Sequence, residues 1–407
     1  MSAGDGSVAA AGQSRGTVAE VFRVFLGLGL TSFGGPVAHL GYFREAFVIR
    51  RKWLSEQAYA DLVALCQFLP GPASSQVGMA IGLQRAGYAG LVVAWAAFTL
   101  PSVILMVAFA YGAAALGAQG GSGWIQGLKA AAVAVVANAV LGMARNLAPD
   151  RERATIAVIG MVIAMLMPTA LGQLLVIAAG GGIGILWLHP GLGGDGQHEM
   201  IAVPLGKRAG AGFLAMFVAL LFILPALATA TGDAMLRMVE GFYRSGSLVF
   251  GGGHVVLPLL QAAFVDTGHV SKEAFLAGYG VAQAVPGPLF TFAAYLGAIY
   301  ALSPTGVVGA GVALLSIFLP SALLIMGGLP FWDSLRKSPL VRRALLGVNA
   351  AVVGLLAAAL YHPVFTEGVT SPRAMAIAAV SFVALTAWKA PPWAVVVAAG
   401  AVGFLAL

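Results

Sequence analysis

Gln67-Phe68-Leu69-Pro70-Gly71-Pro72-Ala73-Ser74-Ser75-Gln76 breaks an apolar helical stretch in its middle. Proline removes a backbone donor and clashes with the preceding turn, while glycine reaches dihedrals closed to other residues. At Pro72 a new helix can begin, with free amide groups and the positive end of its dipole at the break. Such a terminus is a ready anion site, and Ser74, Ser75 and Gln76 add side-chain donors beside it. An ordinary proline kink that lets helices pack is the plainer reading. A second copy favours the first: Pro286-Gly287-Pro288 stands in an equally apolar segment, and paired breaks in two halves of a chain point to a transport site.

Working outward from the two breaks exposes a repeat. Phe33-Gly34-Gly35, Trp53-Leu54-Ser55, Gln67, Pro70-Gly71-Pro72 and Leu100-Pro101-Ser102 recur in order as Phe250-Gly251-Gly252, His269-Val270-Ser271, Gln283, Pro286-Gly287-Pro288 and Leu319-Pro320-Ser321. The offsets are 217 (33 to 250), 216 (70 to 286) and 219 (101 to 320). The chain therefore divides into a polar tail over 1–16, a first repeat over 17–190, a linker with one extra apolar helix over 191–234, and a second repeat over 235–407.

Only 9% of the 407 residues are charged and 60% are hydrophobic, against roughly 25% charged in a soluble domain. Runs such as 91–110, 210–230 and 341–361 are long enough for a hydrocarbon layer of ~30 Å. The expected class is an all-α integral membrane protein. The net charge of +7 comes from basic residues in short loops, the pattern of the positive-inside rule, so nucleic acid is not expected as a partner and the lipid bilayer is. No cleavable signal peptide is visible, and Cys66, the only cysteine, cannot form an internal disulfide.

Basic content also orients the halves. The loop after the first FGG carries Arg44, Arg50, Arg51 and Lys52, whereas its counterpart carries Lys272 beside Asp266 and Glu273. The loop after the first LPS helix, 112–123, is uncharged, and its counterpart holds Arg336, Lys337, Arg342 and Arg343. Equivalent loops thus have opposite basic content, which predicts repeats of inverted topology with broken or re-entrant helices at the FGG and PGP motifs. If the segments around those motifs are re-entrant hairpins, only Arg237, Arg244, Lys272 and Arg373 fall outside and about nine true spans remain; full spans would give about thirteen and place more basic residues outside. The hairpin reading fits better. Both place the N-terminus in the cytoplasm and the C-terminus outside.

The candidate binding residues are Gly34, Gly35, Pro36, Gln67, Gly71, Pro72, Ser74, Ser75 and Gln76 in the first half, with Gly251, Gly252 and Gly287 in the second. Pro36 starts a helix whose amides are expected to face the PGP turn of its own half. His39 and His254 follow the FGG breaks and could titrate near neutral pH, or could be neutral rings bonded to freed backbone. Asp61 is a candidate proton carrier or one half of an ion pair. Lys129 is either a snorkelling lysine or an anion's counter-charge. Gln67, Gln283, Asn138 and Asn349 are neutral amides of the kind that bond between helices. No G-x-x-x-x-G-K-[ST], H-E-x-x-H or cysteine pair is present, so no metal, cofactor or enzymatic activity is expected. A membrane-embedded enzyme or lipid flippase lacks a recognisable catalytic cluster here.

Phe33-Gly34-Gly35-Pro36, Trp53-Leu54-Ser55, the run Gln67 to Pro72, the second-half FGGG and Val285-Pro286-Gly287-Pro288 resemble the chromate ion transporter family in its long, duplicated form. The resemblance implies export of chromate from a bacterial cytoplasm across the inner membrane, driven by membrane potential or a proton gradient, and chromate resistance. Sulfate is the natural competing ligand, and a homodimer is a further partner expectation. On this reading Arg44, Arg50, Arg51 and Lys52 draw the dianion to the cytoplasmic mouth, and a sulfate or other oxyanion transporter or channel is the alternative. The second half has Leu289, Phe290, Thr291 and Phe292 where the first has Ala73 to Gln76, so roles in one half are not copied to the other.

Overall fold

The computed structural model describes residues 16–32, 35–117, 123–189, 205–250, 253–332, 335 and 338–407. The first half runs α1 (Val18–Thr31), α2 (Gly35–Arg44, continued by a π-helical turn Glu45–Arg50), α3 (Glu56–Phe68), α4 (Ala73–Gly117), α5 (Gly123–Leu147), α6 (Arg151–Leu166) and α7 (Ala170–Trp187). α8 (Lys207–Thr231) stands alone. The series then recurs as α9 (Ala234–Ser247), α10 (Val256–Leu260, continued by a π-helical turn Gln261–Val265), α11 (Lys272–Ala284), α12 (Phe292–Ala298), α13 (Gly306–Gly328), α14 (Pro339–Ala359), α15 (Pro372–Thr386) and α16 (Pro392–Ala406). No strand occurs among the described residues. α4 leaves helical geometry at Ala86 and Gly87, so its two parts match α12 and α13. Ser55 and Ser271 cap matching helices by accepting from the amides of Ala58 and Ala274.

Among the described residues, five helices are long and apolar enough to cross a membrane: 73–112, 123–147, 207–231, 306–331 and 339–368. The protein is thus an all-α integral membrane protein. α1 and α3 have only 14 and 13 residues, roughly 20 Å at 1.5 Å per residue, too short for a ~30 Å layer. Their ends explain this. Arg85, at the close of the first part of α4, pairs with Glu20 at the start of α1 (3.1 Å) and lies 4.6 Å over the ring of Trp53, just before α3. The chain therefore returns twice to the end where it began, once around the FGG break and once around the PGP turn. Both are hairpins. The second half closes its hairpins likewise: the amide of Ala301 donates to the His269 carbonyl, and the rings of His269 and Tyr300 lie 5.0 Å apart.

The longer helices interlock the halves. α5 packs on α15 and α16 of the second half, while its repeat partner α14 packs on α6 and α7 of the first. The seams are lined by small residues, which let helix backbones approach closely in lipid. A Cβ on Gly127 would fall on the carbonyl of Ala399, and one on Gly347 would fall on that of Gly180. The unpaired helix α8 lies mostly against lipid, with 11% of its most apolar window buried, and is tied to α9 by the Tyr243 hydroxyl donating to Phe217 O (2.9 Å).

Gly127→Ala should therefore destabilise the detergent-solubilised protein by about 1–3 kcal/mol, as overpacking does. Gly142→Ala, on the same helix with open space around it, should stay within about 0.5 kcal/mol of the parent. Thermal unfolding checks both, and equal midpoints would contradict the seam.

Candidate functional site

The helix breaks meet across the halves. The amide of Gly71 donates to Val249 O (2.7 Å), the residue before the second FGG, and the amide of Gly287 donates to Ser32 O (2.9 Å), the residue before the first. Gly71 and Gly287 are repeat equivalents, as are Ser32 and Val249, so the contact is reciprocal and marks a pseudo-two-fold axis through the site. Each PGP turn thus faces the FGG break of the other half. The Gly71 amide is bonded across the halves, while the helix that Pro36 opens reaches the first turn of its own half through His39 and Ser74. Gly71 and Gly287 hold φ of +123° and +96°, a region that strains any side chain.

The LPS serines complete the crossing. Ser102 donates to Pro286 O beside the second turn, and the Ser321 hydroxyl lies where a Cβ on Gly71 would come within 2.5 Å. Only one of the two makes the expected bond. Pro70 O is already taken by the Gln76 amide (2.7 Å), which leaves Ser321 Oγ and Gln76 Oε1 without a partner among the described residues. Ser75 Oγ is also buried and unpartnered. The first turn thus gathers spare polar groups, while the second is walled by Leu289, Phe290 and Phe292. Because burying an unpaired polar group costs about 1–3 kcal/mol, such a cluster invites water or a polar guest.

Histidine ties the first break to the first turn. His39 is fully buried, with Nε2 3.1 Å from Ser32 O and Nδ1 3.4 Å from Ser74 Oγ. A carbonyl only accepts, so Nε2 carries the proton and Nδ1 accepts from the serine. Ser32 O then receives two donors, Gly287 N–H and His39, one from each half. His254 Nδ1 lies 2.8 Å from the Tyr279 hydroxyl in the second half.

A cavity of about 890 Å³ lies between the end of α3 and the start of α14, beside Asp150. Its wall includes Gln67, Asn349, Arg153, Arg342, Asp150 and His189. Gln67 is exposed to it, four residues from Gly71. Asp150 caps α6 and accepts from Arg153, whose guanidinium holds the carboxyl below the usual carboxylate range. Ser74, Ser75 and Gln76 do not line the cavity and are at most 3% exposed.

The other candidates fall in varied places. Gly35 and Pro36 open α2 at the first break. Gly34, Gly251 and Gly252 lie outside the described residues. Pro72 precedes α4, and its carbonyl accepts from the Gln76 amide (3.0 Å). Asp61 is buried and accepts from Gln57 (3.5 Å). Lys129 is only 5% exposed as a residue. Arg44 pairs with Glu56 (2.5 Å) and Arg50 with Glu45 (2.8 Å), all well exposed. Arg51 and Lys52 are exposed too, and none of the four lines the large cavity. Arg153 and Arg342 occupy its wall instead. Sequence reading missed that role, since it weighed loop charge without knowing which loops close over the same opening.

A family model described as chromate transporter matches residues 19–185 and 236–404. A probable chromate transport protein of Synechococcus elongatus is 28% identical over 348 residues, 84% of this chain and 83% of the relative. A chromate transport protein of Pseudomonas aeruginosa is 29% identical over 405 residues, 95% of this chain and 92% of the relative. One of Cupriavidus metallidurans is 25% identical over 358 residues, 84% and 82% respectively. No solved structure matches. Each of the two matched stretches spans one FGG break, one PGP turn and one LPS serine of the crossing, and together they cover most of the molecule: the chain belongs to the chromate transporter family.

Proposed function

We propose that the protein carries chromate out of the cytoplasm as a secondary transporter, driven by the membrane potential or a proton gradient, and so confers chromate resistance. The observation that carries this reading is the polar vestibule at Gln67, four residues before the Gly71 turn of the crossed breaks. By the positive-inside rule that face, with Arg145, Arg151, Arg153, Arg342 and Arg343 at or near it, is cytoplasmic. The N-terminus then lies inside and the C-terminus outside a bacterial inner membrane. Relatives named as chromate transport proteins over most of their length support the cargo.

A tetrahedral dianion must exchange its hydration shell for donors. Arg153 and Arg342 offer the first, and opposite charge lining a cleft raises the local anion concentration. The amides of Gln67 and Asn349 follow deeper in. Beyond them lie the free first-turn amides of α4 and the spare hydroxyls of Ser75 and Ser321, a preformed anion terminus. These groups read charge and shape, which sulfate shares, so sulfate is the competitor to test.

Gly71→Leu should reduce chromate uptake into inverted membrane vesicles to about a tenth or less, with normal amounts of protein in the membrane, since its side chain would collide with Ser321 and Gln76. Undiminished uptake would refute the site. Gln67→Ala should raise the half-saturating chromate concentration about three- to tenfold, the worth of one hydrogen bond of roughly 0.5–1.5 kcal/mol. Excess sulfate that left chromate uptake untouched would show selection by more than charge and shape. In a Cys66→Ala background, Arg51→Cys and Arg151→Cys should both react with an impermeant thiol reagent from the cytoplasmic side, and Lys272→Cys from the other. Labelling of the first two from opposite sides would overturn the hairpin topology.

A further inference from the structure

The vestibule has a repeat-related counterpart that is shut. At the offset of 216 shared by Ser55 and Ser271, Ala64 and Gln67 on α3 correspond to Gly280 and Gln283 on α11. At the offset of 220 shared by Gly127 and Gly347, which seat equivalent helix seams, Asn349 on α14 corresponds to Lys129 on α5. An inverted repeat therefore demands a second vestibule between α11 and α5, opening to the opposite face. The structure closes it. Gly280 sits on α5 so tightly that a Cβ would come within 2.9 Å of the Leu128 carbonyl. Val281 and Ala284 pack on the cluster of Leu128, Ala131 and Val135. On the open side, by contrast, Ala64 and Gln67 are exposed.

Two polar side chains border the closed region. The Gln283 amide nitrogen is buried without a partner among the described residues, at a cost of about 1–3 kcal/mol. Lys129 is 5% exposed as a residue, and a lysine inside an apolar membrane helix marks a functional position. Opening α11 from α5 would hydrate Gln283 and widen the space beside Lys129 for an arriving anion. Equivalent surfaces that are open in one half and packed in the other are two discrete arrangements of one element pair, the kind of bistable contact that switches between states.

We infer that Lys129 and Gln283 form a second oxyanion station on the opposite face, closed in this structure, and that transport exchanges the packing of α3 on α14 with that of α11 on α5. The inference rests on the transporter reading of the same site. It also names a chemical difference between the stations: the vestibule has a neutral amide at Asn349, and the second station has a fixed positive charge at Lys129. In a dianion carrier the second station would hold the cargo while the first reopens empty.

The test uses the full-length protein in a Cys66→Ala background, in oriented membranes, with Gln67→Cys and Gln283→Cys placed singly. An impermeant methanethiosulfonate should react with Gln67→Cys from the cytoplasmic side and with Gln283→Cys only from the other side. Saturating chromate should change the two rates in opposite directions. Lys129→Gln should lower the turnover of chromate transport at least tenfold while leaving equilibrium chromate binding in detergent within about twofold, and Lys129→Arg should restore most of the rate. Opposed labelling that ignored chromate would uphold the second station and fail the cargo assignment alone. Gln283→Cys reacting from the same side as Gln67→Cys, or from neither while Gln67→Cys reacts, would overturn the proposal. So would a Lys129→Gln protein that transports like the parent.

Discussion

A backbone group released from its helix inside hydrocarbon has no water to turn to, and each one left unpaired costs several kcal/mol. That constraint shapes the centre of this protein. Four breaks release amides and carbonyls at membrane depth, and the chain answers by crossing them: Gly71 N–H on Val249 O, Gly287 N–H on Ser32 O. Bonds within each half, such as Gln76 to Pro70 O and His39 to Ser32 O, add to these. The reciprocal bonds make the two repeats one unit, and the interlocked α5 and α14 hold them in register through glycine seams.

Within that frame the halves have diverged. Pro286 O is satisfied by Ser102, whereas Pro70 O is satisfied by Gln76, which leaves Ser321 idle beside Gly71. Phe292 stands at the position of Gln76 in the second half. One turn is consequently polar and follows the vestibule residue Gln67 by four positions, and the other is apolar and packed shut. Symmetry supplies the scaffold, and its local failure supplies the site. The hydrogen bonds that hold a break are therefore distinct from the groups left spare to meet a guest.

Much of this was legible in the residues alone. The near-constant offset of five motifs revealed the duplication, and the contrast between Arg44, Arg50, Arg51 and Lys52 and their uncharged or acidic counterparts revealed the inversion. Hairpins rather than spans followed from charge, and the Arg85 contacts with Glu20 and Trp53 agree. What stayed hidden was which break meets which. A repeat offset is the same whether a turn pairs within its half or across, so the bond from Gly71 to Val249 could not be read from it. Loop charge likewise did not say which basic residues border the vestibule: Arg44 and Arg50 pair with Glu56 and Glu45 in the loops, while Arg153, paired with Asp150, and Arg342 line the vestibule wall.

The most direct measurement is the position of the cargo itself. Chromium scatters anomalously, so crystals grown with chromate would locate the dianion without reference to its surroundings. The crossed-break account places that peak within hydrogen-bonding reach of the Gln67 amide or of the first-turn amides that follow Pro72, at the inner end of the vestibule. A peak confined to the shallow pocket of Arg23, Arg50 and Arg51, with none near Gln67 or Gly71, would contradict it.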